Sequence, residues 1–480
     1  MSDEINTRNY GQMPWSTRRA FLKASAMGAA GLASASVWSG LGMRSARADG
    51  DPLVFSFWPW GSEIVTSNAD IFMKDFGEKV DLQPIPGDYP AVLETKLASN
   101  SKLDMFYAQR GQASRWYAAG WIRPIDDMPG LDQIRSEMIP GLDKDTLGFD
   151  GKYLGLTYYN GGPFCTFMNT KLMADYGWQL SKNAADYPQT WDEVTKIAQE
   201  MKKKGICENP ILPAWYNAWS GMPWALTAHC FNEGEYFVDD QFRATFSTET
   251  PLYKVLSMWQ QWWKEDLVPK GILTTQESTM IDLWTTGKHA FHSYMDYCHF
   301  IYGDKANKNI AEHNIMMPQM PGATHETVLV GHALLCTGNH ERSDADRLRA
   351  WELMKFYGWK DKAGNYHTHK RWAMKADLPI PYQSVYEDPE VKAALLAWMH
   401  PGAAEEQLKW QTEGRAKSLG PNVLKTPWHQ EWDTFTWDLI RNDLLAEGSA
   451  TPKDVVEQSR KKWDKLQKKY TQLERQTYYV

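Results

Sequence analysis

Signatures of known chemistry are scarce in this sequence. No G-x-G-x-x-G follows the first strand-like run, and there is no Walker sequence, no G-x-S-x-G and no H-E-x-x-H. Cysteine is sparse as well. Cys165, Cys207, Cys230, Cys298 and Cys336 form no C-x-x-C pair, so an iron–sulfur cluster or structural zinc has no support. Cys165 and Cys336 read as small core residues, and a Cys207–Cys230 bridge is a pairing that only an oxidising compartment would allow. No metal or other cofactor is expected. Positive charge is not in excess either. The net charge is −7, which makes nucleic acid and anionic lipid poor partners. Beyond the N-terminal region no long apolar run exists that could span a bilayer.

The N-terminus reads as an address. Arg18-Arg19 in Ser16-Thr17-Arg18-Arg19-Ala20-Phe21-Leu22-Lys23 has the form of a twin-arginine export signal. An uncharged stretch rich in Ala, Gly and Ser, Ala24 to Met43, follows, and Ala46-Arg47-Ala48 offers the small residues of a cleavage site. The reading is a leader over 1–48 that engages the twin-arginine export machinery, which carries folded proteins. It holds six basic residues against two acidic ones, so the remainder is more acidic than the whole chain. No cysteine lies near the cut to carry a lipid anchor. The mature protein is expected to be periplasmic and monomeric.

What the chain does have is aromatic surface. It holds 24 Trp and 22 Tyr, far more than a core of this size ordinarily uses, so some rings are expected in a cleft. Strands and helices alternate. Leu53 to Trp58, Val80 to Ile85 and Leu103 to Ala108 read as strands, with helices at Ile64 to Phe76 and Ala91 to Ala98 between them. That order implies a mostly parallel sheet covered by helices. Thr190-Trp191-Asp192-Glu193 is a capping box, and Thr250-Pro251 and Thr451-Pro452 open further helices. Gly161-Gly162-Pro163 interrupts the pattern, as an ordinary turn or a crossover between two lobes would. His367 and His369 have no nearby acidic or cysteine partner and read as a solvent loop.

Several stretches together resemble the extracellular solute-binding proteins, family 1, which include the maltose-binding type. They are Val54-Phe55-Ser56-Phe57-Trp58, Pro86-Gly87-Asp88-Tyr89, Leu103-Asp104-Met105-Phe106-Tyr107, Gly151-Lys152-Tyr153-Leu154-Gly155-Leu156, Met168-Asn169-Thr170-Lys171-Leu172, Pro188-Gln189-Thr190-Trp191-Asp192-Glu193, Gly287-Lys288-His289-Ala290-Phe291 and Val328-Leu329-Val330-Gly331-His332-Ala333. The resemblance implies an α/β, two-lobed periplasmic-binding-protein fold with a ligand cleft between the lobes. It places crossings near Asn160–Phe164, Val330–Cys336 and Leu378–Ser384. Lobe 1 is then expected over 49–160 plus 331–380, and lobe 2 over 161–330 plus 381–480. It also implies a receptor without enzymatic activity that delivers a solute to the membrane permease subunits of an ABC importer.

A carbohydrate suits the composition, because aromatic rings stack on sugar faces while polar side chains bind hydroxyls in the ring plane. The expected contacts at strand ends are Trp58, Trp60, Glu63, Gln109 and Arg110. From the Pro/Gly/Asn-rich loop come Trp215, Tyr216 and Trp219; beyond it come Trp284, Tyr294, Asp296, His332 and Trp372. Gly161, Gly162 and Pro163 are the expected hinge. Each of these residues also has a plainer reading as core, cap or solvated surface. Two alternatives stay open: an exported glycoside-hydrolase-like enzyme, whose two carboxylates sequence cannot pair, and the same receptor class for a polyol, sulfonated sugar or sugar phosphate. An anionic ligand would call on Arg110 or Arg371.

Overall fold

The computed structural model describes residues 51–477 apart from 149, 161, 162, 217, 219, 327, 330–332 and 419. The leader, Gly161, Gly162, Trp219 and His332 therefore lie outside the described residues.

The first lobe is built as the alternation implies. β1 (Leu53–Phe57) is buried along its whole length, which is why it reads as an unbroken apolar run. Helix α1 (Ser62–Phe76) follows, then β2 (Val80–Pro84), α2 (Tyr89–Ala98), β3 (Met105–Ala108), α3 (Arg110–Ala118) and β4 (Leu156–Tyr159). The second lobe begins with β5 (Phe164–Asn169) and continues through α4 (Trp191–Lys203), β6 (Ile211–Pro213), α5 (Pro251–Lys264), α6 (Glu277–Thr285), β7 (Phe291–Met295) and β8 (Asn314–Met316). The chain returns to the first lobe with β9 (Ala333–Cys336), α7 (Asp344–Gly358) and α8 (His367–Ala376). It ends through α9 (Ala404–Lys417) and α10 (Pro452–Thr477). The Thr190 capping box forms: Glu193 N donates to Thr190 Oγ1 at 3.2 Å while Thr190 N donates to Glu193 Oε2 at 3.3 Å.

The sheets have orders β2-β1-β3-β9-β4 and β6-β7-β5-β8. β1 is parallel to β2 and β3, and β6 is parallel to β7. β9 runs against β3 and β4, and β5 runs against β7 and β8. Among the described strands, then, the reversed member of each sheet is the one that enters from the other lobe. Crossing chains insert into the sheets, so strand pairing anchors both ends of each crossing.

Two apolar cores result, one for each sheet. The division departs from expectation beyond residue 380. Tyr382, Val385, Tyr386, Val391, Leu395 and Met399 pack in the first core, where the second lobe was expected. Pro379 and Pro381 looked like an exit. Instead their carbonyls accept Asn160 N at 2.9 Å and Ile139 N at 2.8 Å, which holds that segment against the first lobe. The chain leaves through α9, which places Leu408 in the first core and uses Gln407 Oε1 to accept Met316 N of β8 at 2.9 Å. Cys207 and Cys230, whose pairing the sequence leaves open, are free buried thiols. One further expectation is corrected. His367 and His369 open α8 instead of forming a loop, and the two ring nitrogens of buried His369 lie 3.1 Å from the Tyr158 carbonyl and 3.3 Å from the Trp359 carbonyl. Among the described residues no helix is long and apolar enough to cross a membrane.

The lobes also meet backbone to backbone. A Cβ on Gly303, just after second-core Tyr302, would lie 1.9 Å from the carbonyl oxygen of Trp398, which packs on the first core. Gly303→Ala should force this contact apart and cost about 1–3 kcal/mol, the usual range for overpacking. Urea unfolding would measure it, and an unchanged midpoint would show that the two segments separate freely.

Candidate functional site

At the carboxyl end of β1 the chain turns through Trp58-Pro59-Trp60-Gly61, at the sheet edge where open α/β folds place ligands. Trp58 is half-buried, with its ring centroid 4.6 Å from that of Tyr107, 5.4 Å from Tyr89 and 6.5 Å from Tyr159. Trp60 stacks on Trp372 at 5.3 Å and 9°. Gly61 permits that stack. Its φ is +67°, and a Cβ there would sit 2.2 Å from the Trp372 ring. The Trp372 indole N–H donates to the Tyr158 hydroxyl, which fixes the inner ring of the pair. β4 thus supplies Tyr158 to the support and Tyr159 to the cleft side.

Trp60 reaches across the lobes. Its ring lies 6.1 Å from Tyr297 and 6.5 Å from Phe300, which follow β7. Tyr297 packs against both cores, the one described side chain that does so. Behind it stands a hydroxyl chain. The Tyr216 and Tyr294 hydroxyls are 3.1 Å apart, Tyr216 donates to Ser220 O at 2.7 Å, and Tyr294 donates to the Glu277 carboxylate. Burial pushes the Glu277 carboxyl up, and the Tyr294 hydrogen bond offsets this in part. Burial also raises the Tyr159, Tyr216 and Tyr297 hydroxyls, and the Glu277 charge adds to each shift. One carboxylate therefore acts on aromatic residues of both lobes.

Asn160, between Tyr159 and the Gly-Gly pair, is fully buried, yet neither its Oδ1 nor its Nδ2 has a partner among the described residues. An unsatisfied buried polar atom costs about 1–3 kcal/mol, so such a group is retained for a reason.

The other expected residues fall elsewhere. Glu63 is exposed in the first turn of α1. Gln109 caps α3, its N–H donating to Gln112 Oε1 at 3.0 Å, and Arg110 is buried in that helix's first turn. Trp215 lies in the second core, 4.9 Å from Trp259, and its neighbour Tyr216 belongs to the hydroxyl chain. Trp284 is also in the second core, donating to Asn314 Oδ1 at 3.0 Å. Asp296 is buried against Arg415. Pro163 bridges to Leu329, and its carbonyl accepts Asp296 N at 3.0 Å. Arg371 donates to Asn68 Oδ1 at 2.7 Å and Ser67 Oγ at 2.5 Å.

Sequence reasoning missed Glu277, Tyr297 and Asn160. Glu277 looked like an ordinary first-turn acid favoured by a helix dipole. Tyr297 and Asn160 are direct neighbours of residues that were named, but neither carries a local sequence signal of its own.

Comparison places the chain among known proteins. The sequence profile described as bacterial extracellular solute-binding protein matches residues 68–397. No curated protein matches the chain by sequence. Among solved structures, maltose-bound MalE3 of T. maritima superimposes with a TM-score of 0.69 at 15% identity, over 86% of this chain and 99% of its own. A chitin oligosaccharide binding protein does so at 0.66 and 16%, over 87% and 99%. An ABC transporter solute-binding protein of Agrobacterium radiobacter K84, in complex with ribitol, does so at 0.68 and 15%, over 87% and 99%. These likenesses establish a shared two-lobed fold.

A carboxyl held above its unfolded range stabilises the fold at low pH, and that contribution is lost as pH rises through the folded value. Glu277→Gln keeps an acceptor for Tyr294 and removes the titration. Its melting temperature should exceed the parent's at pH 7 and match it near pH 4. Parallel pH profiles for the two proteins would place this carboxylate in water.

Proposed function

The chain belongs to the bacterial extracellular solute-binding proteins, and from that premise we propose that it is the periplasmic receptor of an ABC importer that binds a carbohydrate between its lobes. The observation that carries this reading is the meeting of Trp60 of the first lobe with Tyr297 and Phe300 of the second, with Trp58 and Tyr159 packed together on the first-lobe side. Rings offer faces to the C–H side of a sugar. Glu277, the tyrosine hydroxyls and the Asn160 carboxamide offer acceptors and donors to its hydroxyls. The fold neighbours named with maltose, a chitin oligosaccharide and ribitol support ligands rich in hydroxyls.

In this reading the lobes close on the ligand about the crossings, a hinge motion that periplasmic binding proteins exemplify. The loaded form docks on the permease subunits as a monomer, and nothing in the cleft carries out a reaction on the solute. The twin-arginine leader delivers the folded protein to the periplasm.

The purified protein should be melted against maltose, chitin oligosaccharides, ribitol, sugar acids and sugar phosphates. A ligand at 100 times its Kd adds about 2.7 kcal/mol to stability, a readily measured shift. A shift with a neutral sugar or polyol that is recovered unchanged supports the reading. Consumption of the compound would replace the receptor with an enzyme, and a shift only with anionic compounds would replace the neutral ligand. Two substitutions then locate the site. Trp58→Ala should weaken binding by about tenfold or more, about 1.4 kcal/mol. Asn160→Ala removes a carboxamide that has no partner among the described residues, so it should leave the unliganded melting temperature equal or higher while lowering affinity. Titration calorimetry with the shifting compound measures both, and unchanged affinity in both variants would move the site.

A further inference from the structure

Three ionic side chains are buried where the lobes join. Arg415 on α9 donates through Nε to Asp296 Oδ2 at 2.6 Å, and through Nη2 to Asp377 Oδ1 at 3.0 Å and Asp377 O at 2.6 Å. Gln411, one turn earlier, donates to Asp377 Oδ2 at 2.9 Å and to Asp296 O at 3.3 Å. The three charged side chains are between 0% and 2% exposed. The partners come from opposite lobes. Asp296 follows β7 of the second lobe, directly before Tyr297. Asp377 follows α8 of the first lobe and leads into the segment whose Pro379 carbonyl accepts Asn160 N. Asp377 is itself in the left-handed region, at φ 51°, which leaves its carbonyl and carboxylate both turned to one guanidinium.

We infer that Arg415 is the positioning residue of the cleft: by holding Asp296 and Asp377 at once, it fixes Tyr297 of the second lobe against Trp60 of the first. Nothing about the ligand enters this argument, so it stands whichever solute the cleft takes. A planar guanidinium can bridge two carboxylates in fixed geometry, which a lysine ammonium cannot do. The span needs both ends. Loss of the Asp377 carboxylate leaves Gln411 without its first-lobe acceptor and Arg415 with only the Asp377 carbonyl there, and loss of Arg415 leaves two buried carboxylates without their shared cation.

The stoichiometry gives the cluster a signature. Two carboxylates share one cation, so burial and mutual repulsion favour retaining a proton. Burial is the first cause that raises both acids, and Asp377 is raised to about 7. The other titratable groups facing the cluster do not change charge near neutrality. Burial raises Cys165, Cys298 and, to about 12, Tyr386, whose ring lies under Arg415, while His299 is lowered to about 3. Because the folded value of Asp377 is raised, its contribution to stability is present below the unfolded carboxylate range and is lost as pH rises through about 7.

The test uses the unliganded protein. Melting temperature is measured from pH 5 to 8.5 for the parent and for Asp377→Asn, and the radius of gyration is measured by small-angle X-ray scattering for the parent, Asp377→Ala and Arg415→Met. The parent's melting temperature should fall between pH 6 and 8, and Asp377→Asn, which mimics the protonated acid, should flatten that fall. Asp377→Ala, which removes the side-chain acceptors of Arg415 and Gln411, and Arg415→Met should both show a larger radius than the parent at pH 6. A parental slope in Asp377→Asn or a parental radius in Asp377→Ala would overturn the inference, as would a folded Arg415→Met protein of parental radius. Should Arg415→Met not fold, the two Asp377 variants decide. No outcome depends on finding a ligand, so failure here is distinct from failure of the carbohydrate reading.

Discussion

Chain passes between two sheets, and every backbone group in the passage must still be paired. That constraint organises the molecule. Asn160 N bonds Pro379 O, Phe164 N bonds Val328 O and Asp296 N bonds Pro163 O, so segments far apart in sequence satisfy one another at the junction. Each lobe then accepts an incoming strand, β5 or β9, against the direction of its neighbours. Such a junction tolerates few arrangements, because shifting one segment orphans the bonds of the next. The cleft residues sit within one or two positions of these bonds: Tyr159 beside Asn160, and Tyr297 beside Asp296. The proposed binding surface and the chain crossings are consequently made from the same short stretches of chain.

The tryptophan excess has mostly a structural answer. Ten of the 24 tryptophans are among the largest fully buried side chains, and eight of those ten donate their indole N–H to a partner. A buried indole without a partner would offset much of what its area contributes, so the cores had to evolve acceptors such as His229, Thr195 and Asn314 alongside the rings. Trp58 and Trp60 differ in remaining half-buried at a sheet edge. Composition could say that rings were abundant; only position distinguishes a ring that fills a core from one that lines a cleft.

That distinction marks how far sequence reasoning reached. The first lobe was legible because its strands are short apolar runs separated by glycine and proline, and one helix start of the second lobe was legible because Thr190 and Glu193 announce it by local chemistry. The position of Trp58 and Trp60 was legible for a related reason: the end of a first strand is a predictable place. Residues defined by distant partners were not legible. Arg415 meets Asp296 across 119 positions and Asp377 across 38, and nothing local to any of them reports the pairing. The boundary after residue 380 failed similarly, since Pro379 and Pro381 signal extended chain without saying which lobe receives it. His367 and His369 failed through polarity, because a helix start rich in His, Lys and Arg carries little apolar periodicity, although buried Trp372 anchors it.

Burying Asp296, Asp377 and Arg415 is an expensive way to join two lobes if rigidity alone is required. Replacing buried ion clusters with apolar residues is often neutral or stabilising, whereas breaking one partner away is strongly destabilising. An apolar plug at this junction would resist separation in every direction about equally, since hydrophobic contact is non-directional. Hydrogen-bonded charges specify a register. Nε toward Asp296, Nη2 toward Asp377 and Gln411 across both define one relative placement of the segment that carries Tyr297 and the segment whose Pro379 carbonyl accepts Asn160 N. For a protein whose two halves must meet around a solute in one orientation, directionality at the pivot is worth more than added stability. The ionic cluster therefore belongs to the same functional demand as the rings it holds in place.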